Sequence, residues 1–470
     1  MSTVTLTAGQ VASASGGELL QGDPCAPIGR VSIDSRSLAA GDFFVAIRGE
    51  RFDGHQFAAE ALARGAAGVL LDTLPPDVTV RAGQGAPSVI RASDTTAGLQ
   101  RVANDVRRRA GCPVVAITGS AGKTTTKEVT AALLATRYRV FRNKGNLNNH
   151  IGLPMSLLEL RDAPDVAVVE LGMNHAGEIR TLVGIAEPDI RVWTNVGDAH
   201  LGFFASADAI ADAKAEILEA ATSETRLIAN ANDPRIMSRI GDFPGRVTTF
   251  GIDVPADVEA GDVQALGLDG MAAEVRTPAG TARLRTPLLG MGNLSNVLAA
   301  TAVAVSMGVA LEDIVAVAAT LHPAAHRGEL LRLPGGVTLV DDSYNSSPAA
   351  LTRALETIGV ATGSARKAAV LGEMLELGAH SQGLHEACGR AAAAAGLNWL
   401  ITVGGAPAKA MADAAVAAGL PAAAVHHLGT SGEAAATALK LTRPGDLVLV
   451  KGSRGIGTDL VVDRLRVEFA

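Results

Sequence analysis

The stretch TGSAGKTTTKE, residues 118–128, sets two glycines and a lysine ahead of a run of threonines. Gly119 and Gly122 allow the backbone to curl so that several N–H groups face one anion, and a helix starting there adds its dipole. Lys123 has the reach for β- and γ-phosphates, and Thr124 offers a hydroxyl to Mg²⁺. The chemistry these residue types suit is phosphate binding and phosphoryl transfer. The longer pattern G-x-x-x-x-G-K-[ST] asks for a glycine at position 117, where this chain has Ile117, so the loop is the shorter G-x-x-G-K-T form. The bland alternative is a tight strand-to-helix turn with a solvated lysine.

Four further polar clusters fall at or near expected strand ends, where ligands collect in open α/β sheets. In VAVVELGMNHAGE, Glu170 closes an apolar run at a position suited to a metal-binding acid, with Asn174, His175 and Glu178 close behind. In VWTNVGDAHLGFF, Asn195, Asp198 and His200 follow another apolar run, and a metal or phosphate role is expected there. Lys214, in ADAKAEIL, sits mid-helix four residues after Ile210 and three before Ile217, and reads by spacing alone as an ordinary helical lysine. The fourth cluster is spread over the back half. Asn293 and Asn296 are three apart on one expected helix and can point their amides the same way. Arg327 offers a guanidinium to phosphate, Asp341 and Asp342 end a strand, and Tyr344 and Asn345 follow. Helix-surface polarity for the asparagines and a turn-capping role for Asp342 are the plain alternatives.

These groups need a scaffold of buried strands and flanking helices. PVVAITGS, DVAVVELG, DIRVWTNVG and TRLIANAND are apolar runs without strict polar alternation, as expected of strands buried on both faces of a parallel sheet. VTLVDDSYN, KAAVLGEM, WLITVGG and DLVLVKGSRG repeat the pattern near the C-terminus. An earlier segment with DFFVAI and AGVLL ends in the charged helical stretch DVRRRAG. Three α/β segments are therefore expected, at 1–110, 111–325 and 326–470, with residues 245–290 as antiparallel strands at the edge of the middle one. The alanine-rich tracts RAAAAAG and KAMADAAVAAG are taken as packed helices, since alanine is the best helix former.

Composition narrows the classes. The chain has 470 residues, enough for two to four domains at roughly 100–200 residues each. Hydrophobic residues make up 48% and charged residues 19%, which argues for packed cores and against wholesale disorder. A formal charge of −7 gives no broad basic face for nucleic acid, while leaving room for a local anion pocket. Cys25, Cys112 and Cys388 are far apart and in no metal spacing, so buried, reduced thiols are expected. No apolar run reaches the roughly 18 residues of a membrane span, and the N-terminal stretch lacks the basic and apolar regions of a signal peptide. A cytoplasmic protein is expected.

Taken in order, DSRSLAAGDFFVAIRGERFDGHQF, TGSAGKTTTKE, NKGNLNNHIGLP, ELGMNHAGEI, TNVGDAHLGFF, AKAEI, NANDP, GNLSNVLAA, HRGE and DDSYNSSP resemble the Mur ligase family of peptidoglycan synthesis over nearly the whole chain. ELGMNHAGEI and DDSYNSSP are most similar to members that add D-alanyl-D-alanine to UDP-N-acetylmuramoyl-tripeptide. The Asp-Asn-Pro-Arg signature of the diaminopimelate-adding members is missing. The resemblance implies a three-domain monomer: an N-terminal α/β domain for the UDP end of the sugar nucleotide, a central parallel-sheet phosphate-loop domain for ATP, and a C-terminal Rossmann-like domain for the incoming dipeptide. The implied ATP set is Gly119, Ser120, Ala121, Gly122, Lys123, Thr124, Thr125, Asn293, Asn296, Arg327 and Asp342. The implied substrate set is Ser35, Arg36, Asn148, Asn149, Asp198, Tyr344 and Asn345. Thr124, Glu170, His200 and Lys214 would serve two Mg²⁺ sites, with Lys214 carbamylated, and Lys123, His200 and Lys214 would be catalytic. Cell-wall biogenesis, and with it cell shape and division, is the implied setting.

The implied reaction activates a carboxylate as an acyl phosphate, which an amine then attacks. The base for that amine is not identified by the sequence, with His200 and bound phosphate as the candidates. Two rivals stand beside this reading. One is a sister Mur ligase or a folylpolyglutamate synthetase-like ligase with another acceptor amine. The other is a nucleotide-dependent switch that hydrolyses ATP without making a bond.

Overall fold

The apolar runs form strands because they can be buried along their whole length. Val114–Thr118, Val166–Glu170, Ile190–Trp193 and Asp446–Lys451 are buried at every position. Such strands need cover on both faces, which the helices between them supply. The structure, a computed structural model, describes residues 4–49, 52–80, 85–197 and 201–470. Asp198 and His200 lie outside the described residues.

There are three sheets among the described residues. The first comprises β1 (Glu18–Gln21), β2 (Val31–Ser32), β3 (Phe43–Val45), β4 (Gly68–Leu71) and β5 (Ser88–Arg91), in the order β1-β5-β4-β3-β2. Its pairs are parallel except β1 with β5. The second has nine strands: β6 (Val114–Thr118), β7 (Val140–Arg142), β8 (Val166–Glu170), β9 (Ile190–Trp193), β10 (Arg226–Asn230), β11 (Arg246–Ile252), β12 (Val258–Ala265), β13 (Met271–Thr277) and β14 (Gly280–Thr286). The third comprises β15 (Glu329–Arg332), β16 (Thr338–Asp342), β17 (Arg366–Gly372), β18 (Trp399–Val403), β19 (Val425–Leu428) and β20 (Asp446–Lys451), in the order β15-β16-β20-β17-β18-β19. It is parallel throughout except β15 with β16.

By Cα proximity the chain gathers into two compact units, 1–116 with 138–173 and 177–191, and 117–137 with 174–176 and 192–470. In the first, β7 pairs in parallel with β8, and the Ala167 N–H donates to the Pro113 carbonyl at 2.9 Å, which fixes where β8 starts. In the second, β10 and β11 are parallel, as are β11 and β12, while β12, β13 and β14 are antiparallel. The expectation of antiparallel strands across 245–290 is thus corrected at its start. The turn at Thr277–Gly280 closes a hairpin, whereas β11 and β12 are joined in parallel.

Helices Ser381–Ala394 and Ala406–Ala417 bear out the reading of the alanine tracts. A side chain at Gly389 would run into the Met411 carbonyl, so small residues are what lets these two helices approach. The helix Gly290–Ser306 is buried from Asn296 to Ala304 and packs on the helix Lys123–Leu134. Cys112 and Cys388 are buried free thiols, but Cys25 is exposed, which corrects the expectation for that residue. Burial pushes the Cys388 thiol up to about 11. Among the described residues no helix is long and apolar enough to cross a membrane.

Candidate active site

The loop after β6 is shaped by what it touches. Gly122 is the residue before the helix Lys123–Leu134 and has φ +80°, a left-handed conformation suited to glycine. A Cβ there would collide with the Asn296 amide, and one at Gly119 would collide with Thr194 Oγ1. The strand end 194–197 braces the loop from one side. Asn195 Oδ1 accepts from the Ala121 N–H and its Nδ2 donates to the Ala121 carbonyl, both at 2.9 Å. The Ser120 N–H donates to the Asn195 carbonyl at 3.0 Å, and Ser120 Oγ accepts from the Gly197 N–H at 2.9 Å.

These bonds divide the expected phosphate cradle. The Ser120 and Ala121 amides are spent on Asn195 and are not available to an anion in this arrangement. Lys123 Nζ donates to the Gly119 carbonyl at 2.9 Å, which bends the side chain back over the loop. Thr125 is buried in the first turn of the helix, and Thr124 is half-buried. From beneath, Asn296 Oδ1 accepts from Thr126 Oγ1 at 3.2 Å. Asn296 Nδ2 donates to Asn293 Oδ1 at 3.2 Å, and Asn293 Nδ2 donates to the Leu289 carbonyl at 2.9 Å. The two amides do point together, as their spacing implied, and Asn296 is set against the phosphate loop.

Lys214 departs most from its spacing. It lies in the helix Ala207–Ala215 with a relative exposure of 1%. Burial pushes its amine well below the ordinary lysine range, and the Lys123 charge adds to the shift. Spacing alone reads it as an ordinary helical lysine; the structure buries it, and burial disfavours its charged form.

In the other unit, Glu170 ends β8 with a relative exposure of 3%. Its Oε1 accepts from Asn148 Nδ2 at 2.7 Å, and its N–H donates to Asn143 Oδ1 at 3.1 Å. Asn149 does something different: its Oδ1 accepts from the Ile151 and Gly152 N–H groups at 3.2 and 2.8 Å, starting the helix Gly152–Leu157. Ser35 is buried. Arg36 is exposed and grips Asp34 with Nε and Nη2 at 2.9 and 2.8 Å, and its side-chain hydrogen bonds hold the Asp34 carboxyl down at about 2. Among the described residues no three His, Cys, Asp or Glu side chains converge as a metal cluster.

A second cluster sits at the carboxyl ends of β16 and β20. Their register pairs Asp342 with Lys451. Lys451, with a relative exposure of 3%, places Nζ 2.6 Å from Asp342 Oδ2 and 3.0 Å from the Asn345 carbonyl. Burial raises the Asp342 carboxyl and Lys451 opposes the rise. The neighbouring Asp341 is fully buried and serves the backbone turn. It accepts from Ser343 Oγ at 2.6 Å and lies 2.8 Å from His326 Nδ1. His326 has φ +61°, a strained conformation for a residue other than glycine, and it launches Arg327. The Arg327 guanidinium lies 4.2 Å from the centre of the Tyr344 ring, and that of Arg454 lies 5.0 Å from it. Lys451, Arg454 and His326 had no assigned role from the sequence. The Gly-rich polar end of DLVLVKGSRG was the available signal for the first two.

The comparisons with known proteins cover all three segments. Family models described as Mur ligase family catalytic domain, Mur ligase middle domain, and Mur ligase glutamate ligase domain match residues 27–99, 117–304 and 326–454. The UDP-N-acetylmuramoyl-tripeptide–D-alanyl-D-alanine ligase of Bacillus subtilis is 32% identical over 93% of this chain and 92% of its own. A crystal structure of MurF from Acinetobacter baumannii superposes with a TM-score of 0.89 at 31% identity, covering 99% of this chain and 100% of that one. MurF ligase from Thermotoga maritima, solved in complex with ADP, gives a TM-score of 0.82 at 28% identity over 94% and 97% of the two chains. With matches in all three segments, this chain belongs to the Mur ligase family.

Proposed function

We propose that the chain is an ATP-dependent ligase that joins D-alanyl-D-alanine to UDP-N-acetylmuramoyl-tripeptide, releasing ADP and phosphate, in peptidoglycan precursor synthesis. The observation that carries this is the similarity, at 32% identity over 93% of the chain, to a ligase of that name, on a chain whose Gly-rich loop is braced by Asn195 and Asn296. The ADP in the Thermotoga maritima relative supports ATP as the phosphoryl donor.

The terminal tripeptide carboxylate attacks the γ-phosphorus, and ADP leaves. The neutral amine of the dipeptide then attacks the carbonyl carbon of the acyl phosphate. The tetrahedral intermediate collapses, inorganic phosphate departs with the electron pair of the broken C–O bond, and the amine proton is lost. Lys123 exchanges the Gly119 carbonyl for a phosphate oxygen and follows the charge as it moves. Asn195 and Asn296 hold the loop still while this happens.

Magnesium fits the residues in kind: Thr124 supplies a hydroxyl and Glu170 a buried carboxylate steadied by Asn148. Lys214, with an amine shifted toward neutrality, has the chemistry to take up CO₂ and become an anionic carbamate ligand. When bound, the metal offsets charge on the phosphoryl oxygens. Arg327 and Asp342 meet the nucleotide from the C-terminal segment, and closure of the segments excludes water from the acyl phosphate. Residues 1–110 hold the UDP end, 111–325 the ATP and 326–470 the dipeptide, in a monomer acting in the cytoplasm.

The test is phosphate release from ATP with the nucleotide tripeptide, with and without D-alanyl-D-alanine, while mass spectrometry follows the nucleotide peptide. One phosphate per added dipeptide is expected. Turnover with a single amino acid instead would assign a sister ligase. Phosphate release indifferent to both acceptors would leave an ATPase.

A further inference from the structure

Arg454 and Tyr344 have no part in the mechanism above, yet they form the most distinctive charged feature of the six-stranded sheet. Two guanidiniums, Arg327 and Arg454, lie over one tyrosine ring at 4.2 and 5.0 Å from its centre. Among the described residues, neither makes an ion pair with a carboxylate. Arg36, Arg48, Arg91, Arg107, Arg108 and Arg366 all do. Two like charges gathered on one ring, neither within ion-pair distance of a carboxylate, suit an anionic ligand.

The support beneath is rigid. The Tyr344 N–H donates to the His326 carbonyl at 3.0 Å, and Lys451 holds both Asp342 and the Asn345 carbonyl, so the ring's backbone is tied on both sides. Arg454 follows Ser453, whose Oγ accepts from the Leu375 N–H at 3.0 Å and whose N–H donates to the Glu373 carbonyl at 3.3 Å. Arg454 itself is exposed. It therefore projects from a fixed base at the carboxyl end of the sheet, where an open α/β sheet receives its ligand.

We infer that Arg454, seated on Tyr344, binds the C-terminal carboxylate of the incoming dipeptide. This rests on the ligase reading above. The dipeptide carries one ammonium and one carboxylate. The ammonium is consumed in forming the amide, so the carboxylate is the one charge by which the dipeptide can be held from attack to release. A planar guanidinium matches it with two parallel N–H···O bonds. Because the carboxylate of a dipeptide lies one residue further from its amine than that of a single amino acid, roughly 3.5 Å in an extended chain, a fixed arginine also measures length. Arg327 keeps its phosphate role, and the shared ring sets the spacing between the two anions.

The experiment compares D-alanyl-D-alanine with D-alanyl-D-alaninamide, which lacks the carboxylate charge, in the wild type and in Arg454→Met. The wild type is expected to lose about 100-fold in kcat/KM on the amide, the scale of a charge-assisted bidentate contact. Arg454→Met should lose a similar factor on the dipeptide, mostly through its KM, and then treat dipeptide and amide alike. KM for ATP should stay within about twofold. Tyr344→Leu should show a smaller loss of the same kind, about tenfold. Wild-type indifference to the amide, undiminished discrimination in Arg454→Met, or a loss confined to KM for ATP would each overturn the inference. The amide comparison uses unaltered protein, so it stands even if a variant misfolds. A wild type that adds no dipeptide at all would instead reject the ligase reading.

Discussion

The phosphate loop after β6 and the cluster at the end of β16 and β20 do comparable work by different means. The loop is held by neutral hydrogen bonds from Asn195, Thr194 and Asn296 to backbone and hydroxyl groups. It concentrates its charge in one lysine, Lys123, whose Nζ rests on the Gly119 carbonyl. The second cluster is held by charges: Lys451 with Asp342, and two guanidiniums on Tyr344. Neutral bracing keeps a loop in shape whatever its ligand's charge state. A charged framework is strong only while each partner is present, since removing one leaves the other stranded.

The largest effect should come from the lysine of the first region. Lys123→Ala is expected to lower kcat by about 10³-fold or more with the fold intact, because its single charge follows the phosphoryl group. Steady-state kinetics with circular dichroism checks this. A loss below tenfold would mean that the braced backbone, and not the lysine, carries the phosphate chemistry.

The second region should break in stability first. Lys451→Met leaves the Asp342 carboxylate without its buried partner, so a loss of about 3 kcal/mol is expected in urea unfolding. Adding Asp342→Asn should recover much of that loss, because no stranded charge then remains. If the single variant unfolds like the wild type, the framework is not electrostatic, and the contrast between the regions fails.

What the sequence discloses follows the same division. The phosphate loop is legible because its parts are contiguous: an apolar strand, glycines at fixed offsets and a helix start. The strands of the parallel sheets are legible because double-sided burial demands unbroken apolar runs. Tyr344 and Arg454 are separated by over a hundred positions, and only the pairing of β16 with β20 brings them to one place, so spacing is silent about them. The antiparallel reading of 245–290 succeeds where a tight turn fixes direction, at β13 and β14, and fails at β11 and β12, where tertiary pairing decides. Lys214 misleads for a related reason, because the identity of a helix's buried face depends on what packs against it.

That buried lysine gives a pH test. Its folded value lies below the ordinary 10.5, so between the two the unfolded chain binds more protons than the folded one. Stability contributed by this group therefore rises with pH across that window. Lys214→Met removes the desolvated amine. It should be more stable than the wild type at neutral pH, by about 1–2 kcal/mol, with the gap closing as pH approaches 10.5. Urea midpoints across a pH series check this. A gap that widens with pH would place the amine in its charged state when folded, and would remove the basis for carbamate formation.

The smallest effect separates two neighbours. Asn148 and Asn149 are adjacent and were assigned together to the substrate. Yet Asn148 holds the Glu170 carboxylate, whereas Asn149 gives its carbonyl oxygen to the amides that start the helix Gly152–Leu157. Asn149→Ala should cost about 0.5–1 kcal/mol, as the loss of a local side-chain cap does, and leave KM for ATP unchanged. Asn148→Ala should do the reverse: little change in stability beyond one hydrogen bond, but a raised Mg²⁺ requirement, because the Glu170 carboxylate then loses the amide that steadies it. If Asn149→Ala instead raises KM for either nucleotide without loss of stability, the cap is incidental and the shared substrate role holds for both. Chain neighbours can belong to different regions of function: here the N–H donors two and three residues ahead take the Asn149 oxygen, while the carboxylate at the end of β8 takes the Asn148 amide hydrogen.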